Sequence, residues 1–209
     1  MIDKFCTFLV EKIKSKVKDI DEEKEMVIDY GIRLIFGELP KIILLFIIGF
    51  ILGIGWYTLI LFVLLSMYRT FTGGFHLKTH LGCMISTSIL YLSPIALAKI
   101  SNFQFEYIKY ILIGITLIMS IVFIKKYAPA DTENIPILSK KERKSKKIKA
   151  YVYVVVLLML SLLIKDNVFS YMLIYGIFLQ NITITPFAYS ITKCKYGYKN
   201  YVGENQTIS

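Results

Sequence analysis

Long apolar segments leave this chain few ways to fold. An uncharged stretch runs from Ile42 to Tyr68, and it is followed by the apolar segments Met84–Ala98, Ile108–Ile124, Ala150–Ile164 and Val168–Ile191. A helix needs roughly 20 residues to cross about 30 Å of hydrocarbon. Of the 209 residues, 56% are hydrophobic, which is more than a soluble domain usually carries. The sequence therefore predicts an all-α, polytopic integral membrane protein.

The stretch 42–68 is too long for one straight span. As a single helix it would measure about 40 Å, and it is interrupted by glycines that include Gly53 and Gly55. We therefore predict two short or bent spans that meet near Gly55 and Trp56. With the four later segments, the count is about six transmembrane helices.

The positive charge of the chain fits a membrane protein better than a nucleic-acid-binding protein. The formal net charge is +10, and the lysines crowd the N-terminal region, the segment 125–149 and the C-terminal tail. Six crossings place these three regions on one side, so their positive charge predicts that both termini and the basic loop face the cytoplasm. Anionic membrane lipid is one expected partner of the basic loop, and an acidic protein partner is the alternative. Nucleic acid is not expected as a partner.

The stretch RTFTGGFHLKTHLGCM, residues 69–84, gathers the scarce reactive side chains of the chain. It holds the two histidines, His76 and His80, and Cys83, one of the three cysteines. Because the cysteines are odd in number and far apart, a disulfide framework is not expected. A histidine within reach of a cysteine can take its proton and produce the thiolate that attacks a carbonyl group. The segment is therefore a candidate for nucleophilic catalysis at a membrane boundary, where ionisable groups are usually functional.

Two histidines compete for the role of the base. In a straight helix, His80 would lie one turn from Cys83, whereas His76 would lie about 10.5 Å away along the axis. Spacing alone therefore favours His80. His76 could serve only if the chain bends or unwinds before Cys83.

Arg69, Gly73 and Gly74 precede the histidines. Paired glycines let the backbone turn and bring its N–H groups close to a ligand, and with Arg69 they could hold the negative charge that develops on a substrate carbonyl. The structural alternative is that the glycines break a helix at the membrane surface and Arg69 anchors the preceding span. Zinc is the other common ligand of His and Cys, but the segment has no supporting carboxylate. We expect neither a metal nor another cofactor.

We expect a single membrane domain over residues 1–209. Apolar residues spaced by three or four, such as Phe5, Phe8 and Leu9, predict an amphipathic N-terminal helix that lies either on lipid headgroups or on the protein's own loops. The predicted segments are an amphipathic N-terminal region (1–37), two short or bent spans (38–68), a candidate catalytic segment (69–83), two spans (84–124), a basic cytoplasmic loop (125–149), two spans (150–191) and a cytoplasmic tail (192–209).

Arg69, Gly73, Gly74 and His76, followed by Cys83, together with the later stretch KKYAPADTENIPI, resemble the accessory gene regulator B (AgrB) family. Members of that family are membrane cysteine endopeptidases of peptide quorum sensing in Gram-positive bacteria. The agreement in length, basic charge and hydrophobic layout extends over nearly the whole chain. The resemblance implies a multi-pass protein of the bacterial cell membrane, with its active site toward the cytoplasm.

The resemblance also implies which residues act. Cys83 would be the nucleophile and His76 its partner, with Arg69 and Gly74 at positions that activity requires, so the segment from His76 to Cys83 cannot be a straight helix. The implied substrate is an AgrD-like precursor peptide. The enzyme would remove its acidic C-terminal tail through a thioester and cyclise the core to a thiolactone or lactone. A homodimer is implied as well.

Two further sets of residues are candidates on this interpretation. Asp131 and Glu133, in the 125–149 loop, are candidates for orienting His76. The basic run is a candidate docking surface for the acidic tail by charge complementarity. Its members are Lys140, Lys141, Arg143, Lys144, Lys146 and Lys147.

Two interpretations from other classes compete with the peptidase. In a small peptide transporter or exporter, the polar residues would line a path and Cys83 would be a passive small residue. A purely structural membrane adaptor is the third. Thiol alkylation separates them, because a catalytic Cys83 should react faster than Cys6 and Cys194 near neutral pH.

Overall fold

The computed structural model describes residues 2–16, 22–77, 79–101, 106–133, 136–199 and 202. The elements of this part of the chain are helices, so the predicted all-α class is confirmed. They are α1 (Ile2–Lys16), α2 (Glu22–Ile51), α3 (Gly55–Thr72), α4 (His80–Ile100), α5 (Glu106–Tyr127), α6 (Lys140–Leu163), α7 (Asn167–Thr183) and α8 (Pro186–Ile191).

The helix α7 lies at the centre of the bundle. It packs against α3, α4, α5 and α6, and consecutive residues such as Met172, Leu173 and Ile174 are all buried. A helix that is apolar all round is buried on every face. Asp166 defines its start, because the carboxylate accepts a hydrogen bond from the Phe169 N–H at 3.2 Å. The central helix therefore provides the frame on which the other helices are placed.

The chain breaks between α2 and α3, beside the point where two spans were predicted to meet. The break covers residues 52–54, and Gly53 has a φ of 68°. A single helix covers the end of the predicted segment 1–37 and the start of the predicted segment 38–68, because α2 begins at Glu22 and continues through Gly37 without interruption. The N-terminal region is thus α1 followed by the first half of α2. The helix α1 packs on the protein, against the helix α2, with Val10 buried.

The predicted basic loop 125–149 is helical at both ends. The helix α5 extends to Tyr127 and α6 already begins at Lys140, which leaves residues 128–139 as the connection. Ser139 caps α6 by accepting a hydrogen bond from the Glu142 N–H at 3.3 Å, and Ser-x-x-Glu is the pattern of a capping box. The basic run therefore forms the first turns of α6 instead of a loop.

The predicted apolar segment Val168–Ile191 also divides into two helices. The first of them, α7, ends at Thr183, and Pro186 begins the short helix α8, which Thr185 caps. Proline fits the first turn of a helix, where its missing N–H would be unpaired in any case. The predicted tail 192–209 lies partly outside the described residues.

Within the described residues, two helices are long and apolar enough to cross a membrane, namely His80–Ile100 and Tyr107–Tyr127. Large apolar side chains are also exposed on the outside of the described bundle, for example Ile51, Trp56 and Leu163. Soluble monomers rarely expose so much contiguous apolar surface. The outer surface of the bundle therefore suits contact with lipid.

Candidate functional site

The segment that carries the reactive side chains is not a straight helix. The helix α3 ends at Thr72, and Gly73 and Gly74 follow with φ values of 76° and 146°. The next helix, α4, begins only at His80, where Thr79 accepts a hydrogen bond from the Gly82 N–H at 3.2 Å. The backbone therefore has the bend that a His76 and Cys83 pair requires. Cys83 lies in the first turn of α4, the end of a helix that favours negative charge.

One cavity brings His76 and Cys83 together. It has a volume of 790 Å³ and lies among α2, α3, α4, α7 and the 73–79 connection, with Arg69 also in its wall. His80 is exposed at the start of α4 and does not line this cavity. No hydrogen bond joins the His76 and Cys83 side chains, both of which are described; such bonds are often long until substrate is bound. The cavity therefore groups His76, and not His80, with the cysteine.

His76 is electrostatically suited to act as a base. Desolvation by the surrounding protein, and then the positive charge of Arg69, lower the pKa of His76 from its ordinary value. The His76 residue as a whole is nevertheless exposed, and this solvent contact moderates the desolvation. The direction of the shift keeps the imidazole neutral at neutral pH, in the form that accepts a proton.

Arg69 fastens the 73–79 connection to the central helix. Its Nη2 donates a hydrogen bond to the Phe75 carbonyl at 2.7 Å. Its Nη1 donates to Gln180 Oε1 at 3.1 Å and to Thr183 Oγ1 at 3.4 Å. Arg69 therefore holds the backbone next to His76 against α7, besides placing a positive charge at the wall of the cavity.

The N–H groups of Gly73 and Gly74 have partners within the protein. The Gly73 N–H donates to the Arg69 carbonyl at 2.7 Å, and the Gly74 N–H donates to the Ala130 carbonyl at 2.9 Å. The Ala130 N–H donates in turn to the Thr72 carbonyl at 2.8 Å. These contacts do not support the predicted oxyanion role, since neither glycine N–H is available to a substrate. The glycines instead permit a close backbone approach, because a Cβ on Gly73 would overlap the Ala130 carbonyl.

The carboxylate of Asp131 is engaged away from the histidine that it was predicted to orient. Asp131 is buried, and its Oδ2 accepts hydrogen bonds from Arg143 Nη1 at 3.1 Å and from the N–H groups of Ile137 and Tyr198, each at 2.9 Å. The other candidate, Glu133, forms an ion pair with Lys195 at 3.4 Å. These contacts do not support an orienting role for either residue.

Part of the predicted docking surface lines a second cavity, of 450 Å³. Three members of the basic run contribute to it, and further basic residues from α5 and the C-terminal region complete its wall. These residues are Arg143, Lys144 and Lys147, with Lys126 and Lys199. The other members, Lys140, Lys141 and Lys146, do not line the cavity, and Lys146 pairs with Glu142 at 3.1 Å. Three of the six predicted residues therefore line the second cavity, and the other three lie outside its lining.

Two buried amides beside the site escaped the sequence analysis. Gln180 Nε2 donates hydrogen bonds to Thr72 Oγ1 at 3.0 Å and to the Gly73 carbonyl at 2.8 Å. Asn181 Oδ1 accepts from the Tyr68 hydroxyl at 2.8 Å. Adjacent amides inside an apolar run are a signal that could have found them, because polar groups at membrane depth are costly and usually have partners.

Two charged residues of α2 were also missed. Glu38 and Lys41 line the first cavity with His76 and Cys83. Lys41 directly precedes the uncharged stretch 42–68. Nothing in the spacing of the sequence indicates that α2 packs beside the start of α4.

Comparison with known proteins gives matches to one protein family. The family described as Accessory gene regulator B matches residues 6–184. An AgrB-like protein of Listeria welshimeri is 28% identical over 189 residues, covering 90% of this chain and 88% of the relative. An AgrB-like protein of Clostridium perfringens is 33% identical over 153 residues, covering 70% and 69%. No solved structure matches. Since the family match covers most of the sequence, the chain belongs to the accessory gene regulator B family.

Proposed function

We propose that the chain is a membrane cysteine endopeptidase in which Cys83 is the nucleophile and His76 the base. Membership of the family links the chain to accessory gene regulator quorum sensing and to its AgrD-type precursor. The observation that carries the proposal is the shared cavity: His76 and Cys83, from opposite ends of a bent connection, line one space large enough for a peptide segment. The mass of the peptide produced with an intact or a mutated Cys83 tests it.

In the cleavage step, Cys83 and His76 each have a defined role. The Cys83 S–H bond breaks, its proton moves to His76, and the sulfur forms a bond with the scissile carbonyl carbon. When the C–N bond breaks, the leaving amine takes the proton from His76. The product is a thioester between Cys83 and the peptide core, and the acidic tail leaves as a free amine.

Cyclisation follows by exchange of the acyl group. A cysteine or serine of the precursor gives its proton to His76 and attacks the thioester, which releases the thiolactone or lactone and returns the proton to Cys83. Water competes for the same thioester, so the site must hold it off. The cavity wall is largely apolar, with Phe62, Ile89 and Leu90 among its residues. The tethered nucleophile is favoured because it needs no separate encounter with the acyl group.

The proposal includes the predicted topology. Six spans, with both termini and the catalytic cavity on the cytoplasmic side, agree with the excess of positive charge in the terminal regions and in α6. A homodimer belongs to the same proposal. Counting spans requires tagging each connection and testing its accessibility from either side of the membrane.

The acidic tail of the precursor is proposed to bind in the second cavity. Arg143, Lys144 and Lys147 contribute positive charge there. Arg143 is already paired with Asp131, so Lys144 and Lys147 are the better candidates for binding a carboxylate. Charge complementarity of this kind mainly speeds the encounter between the peptide and the protein and orients the bound peptide.

Reversal of these two charges should weaken tail recognition. The Lys144→Glu/Lys147→Glu variant should raise the KM for the precursor roughly five- to tenfold at low salt, as expected for the loss of two exposed ion pairs. The difference should shrink as salt screens the charges. Processing rates at several precursor and salt concentrations measure both effects. Lys140→Glu/Lys141→Glu, which makes the same charge change on the same helix outside the cavity, is the control, and an equal loss in that variant would refute the binding site.

The pH dependence of cleavage should reflect the lowered pKa of His76. Since the folded pKa lies below the ordinary value, the imidazole stays neutral as the pH falls through 6.5 and gains its proton only at lower pH. An unperturbed histidine would keep only about a tenth of its base form at pH 5.5. We therefore expect most of the rate at saturating precursor to persist at pH 5.5, measured in proteoliposomes. A midpoint near pH 6.5 would contradict this assignment.

A further inference from the structure

The cavity contains a buried lysine that the reaction described above leaves without a role. Lys41, on α2, is 7% exposed, and burial of an ammonium group is costly unless it is paired. Its Nζ donates a hydrogen bond to Glu38 Oε1 at 2.6 Å. The Glu38 side chain is 46% exposed, so one partner of the pair remains in contact with solvent while the other is held inside.

The side chains of Lys41 and the nucleophile belong to the wall of the same cavity. Lys41 lines the cavity together with Cys83, and an electrostatic attraction links the two side chains. An ammonium group has three N–H donors, and the bond to Glu38 uses one of them. The remaining donors are available to a negative charge at Cys83.

The other charged groups around Cys83 do not fill this role. Among the described residues, the titratable or charged groups that line the cavity besides Cys83 are Glu38, Lys41, Arg69, His76 and Tyr91. His80, on the same helix as Cys83, lies outside the lining. Arg69 is committed to Phe75, Gln180 and Thr183. Of the cations in the described part of the chain, Lys41 is therefore the one best placed for the sulfur.

We propose that Lys41 stabilises the thiolate of Cys83 and that Glu38 is the positioning residue that holds Lys41 in place. The inference rests on the proposed function. When the S–H bond breaks, the proton moves to His76 and the electron pair stays on the sulfur, opposite the Lys41 ammonium. A histidine that binds a proton weakly is a weak base, so by itself it converts little of the thiol to thiolate. A fixed positive charge beside the sulfur compensates by stabilising the thiolate. Lys41 itself gains and loses no proton.

Alkylation of Cys83 tests the inference without any peptide substrate. The background carries Cys6→Ser and Cys194→Ser, and the probe is iodoacetamide, which is neutral and reacts with thiolate. Lys41→Met should lower the rate constant at pH 7 about tenfold and raise the pH of half-maximal reactivity by about one unit, since each unit corresponds to a factor of ten. Lys41→Arg, which keeps the charge, should retain most of the reactivity. Lys99→Met, an exposed lysine at the far end of α4, should match the parent.

The outcomes separate this inference from the proposed function. Lys41→Gln, which keeps a polar side chain, provides a second neutral variant if Lys41→Met does not elute as folded protein in detergent. An unchanged pH profile in the neutral variants would overturn the inference even if peptide processing were lost. If the alkylation of Cys83 depends on Lys41 but the protein processes no precursor, the peptidase proposal is refuted and the role of Lys41 is supported.

Discussion

Co-expression with an acidic-tailed precursor should give no cyclic product from Cys83→Ala or His76→Ala, whereas His80→Ala should process the peptide nearly as well as the parent. Cys83 supplies the bond to the acyl group, so nothing replaces it. Loss of the base should cost about a hundredfold to ten-thousandfold. His80 lies outside the cavity that holds the other two side chains, so its removal should leave the reaction intact. Mass spectrometry distinguishes the uncut precursor, the cleaved linear core and the cyclic product.

The three substitutions distinguish the alternatives that the sequence left open. Cys194→Ala is the matched control, because Cys194 is a free thiol like Cys83 but does not line the catalytic cavity. If His80→Ala abolishes cleavage while His76→Ala does not, the dyad is wrong. If Cys83→Ala still yields processed peptide, the endopeptidase proposal fails and transport becomes the leading account.

Gly73→Ala should disable the protein through its backbone. With a φ of 76°, alanine at this position costs about 1–3 kcal/mol in strain. Its Cβ would also overlap the Ala130 carbonyl, so the connection carrying His76 must move. We expect a lower thermal midpoint in detergent and a loss of processing of at least about tenfold, since small displacements of catalytic groups are costly.

Gly114→Ala is the matched control for this substitution. Gly114 lies within α5, and a Cβ there would meet nothing within 4 Å. Alanine is the better helix former by about 1 kcal/mol, so this variant should be as stable as the parent or slightly more so. Equal midpoints and equal processing for the Gly73 and Gly114 variants would show that the pairing with Ala130 is dispensable.

The site could be predicted from the sequence where its parts are local. The reactive residues lie within residues 69–83, and the resemblance to the family favoured His76 over the His80 that helical spacing alone preferred. The structure has the required bend, since the helix begins at His80 instead of continuing from Thr72. The signals were two adjacent glycines and a threonine that caps the next helix.

The remaining parts depend on packing that no local pattern encodes. Lys41 and Cys83 line the same cavity only because α2 packs against α4, and the orientation of one helix on another follows from the whole bundle. The Ser139 capping box, by contrast, was a local signal that α6 starts at Lys140. The many basic residues of this segment favoured the prediction of a loop instead. The charged starts of α2 and α6 likewise put apolar sequence and polar sequence in the same helix.

The connection 128–132 joins the two cavities by a very short path. At Ala130 it forms backbone hydrogen bonds with Thr72 and Gly74, two residues before His76. One residue later, Asp131 is bonded to Arg143 in the wall of the basic cavity. We therefore expect a shift at one end of this connection to move the other end. If binding in the basic cavity moves Asp131, it should also move the backbone at Gly74, and such a coupling would act equally in both directions.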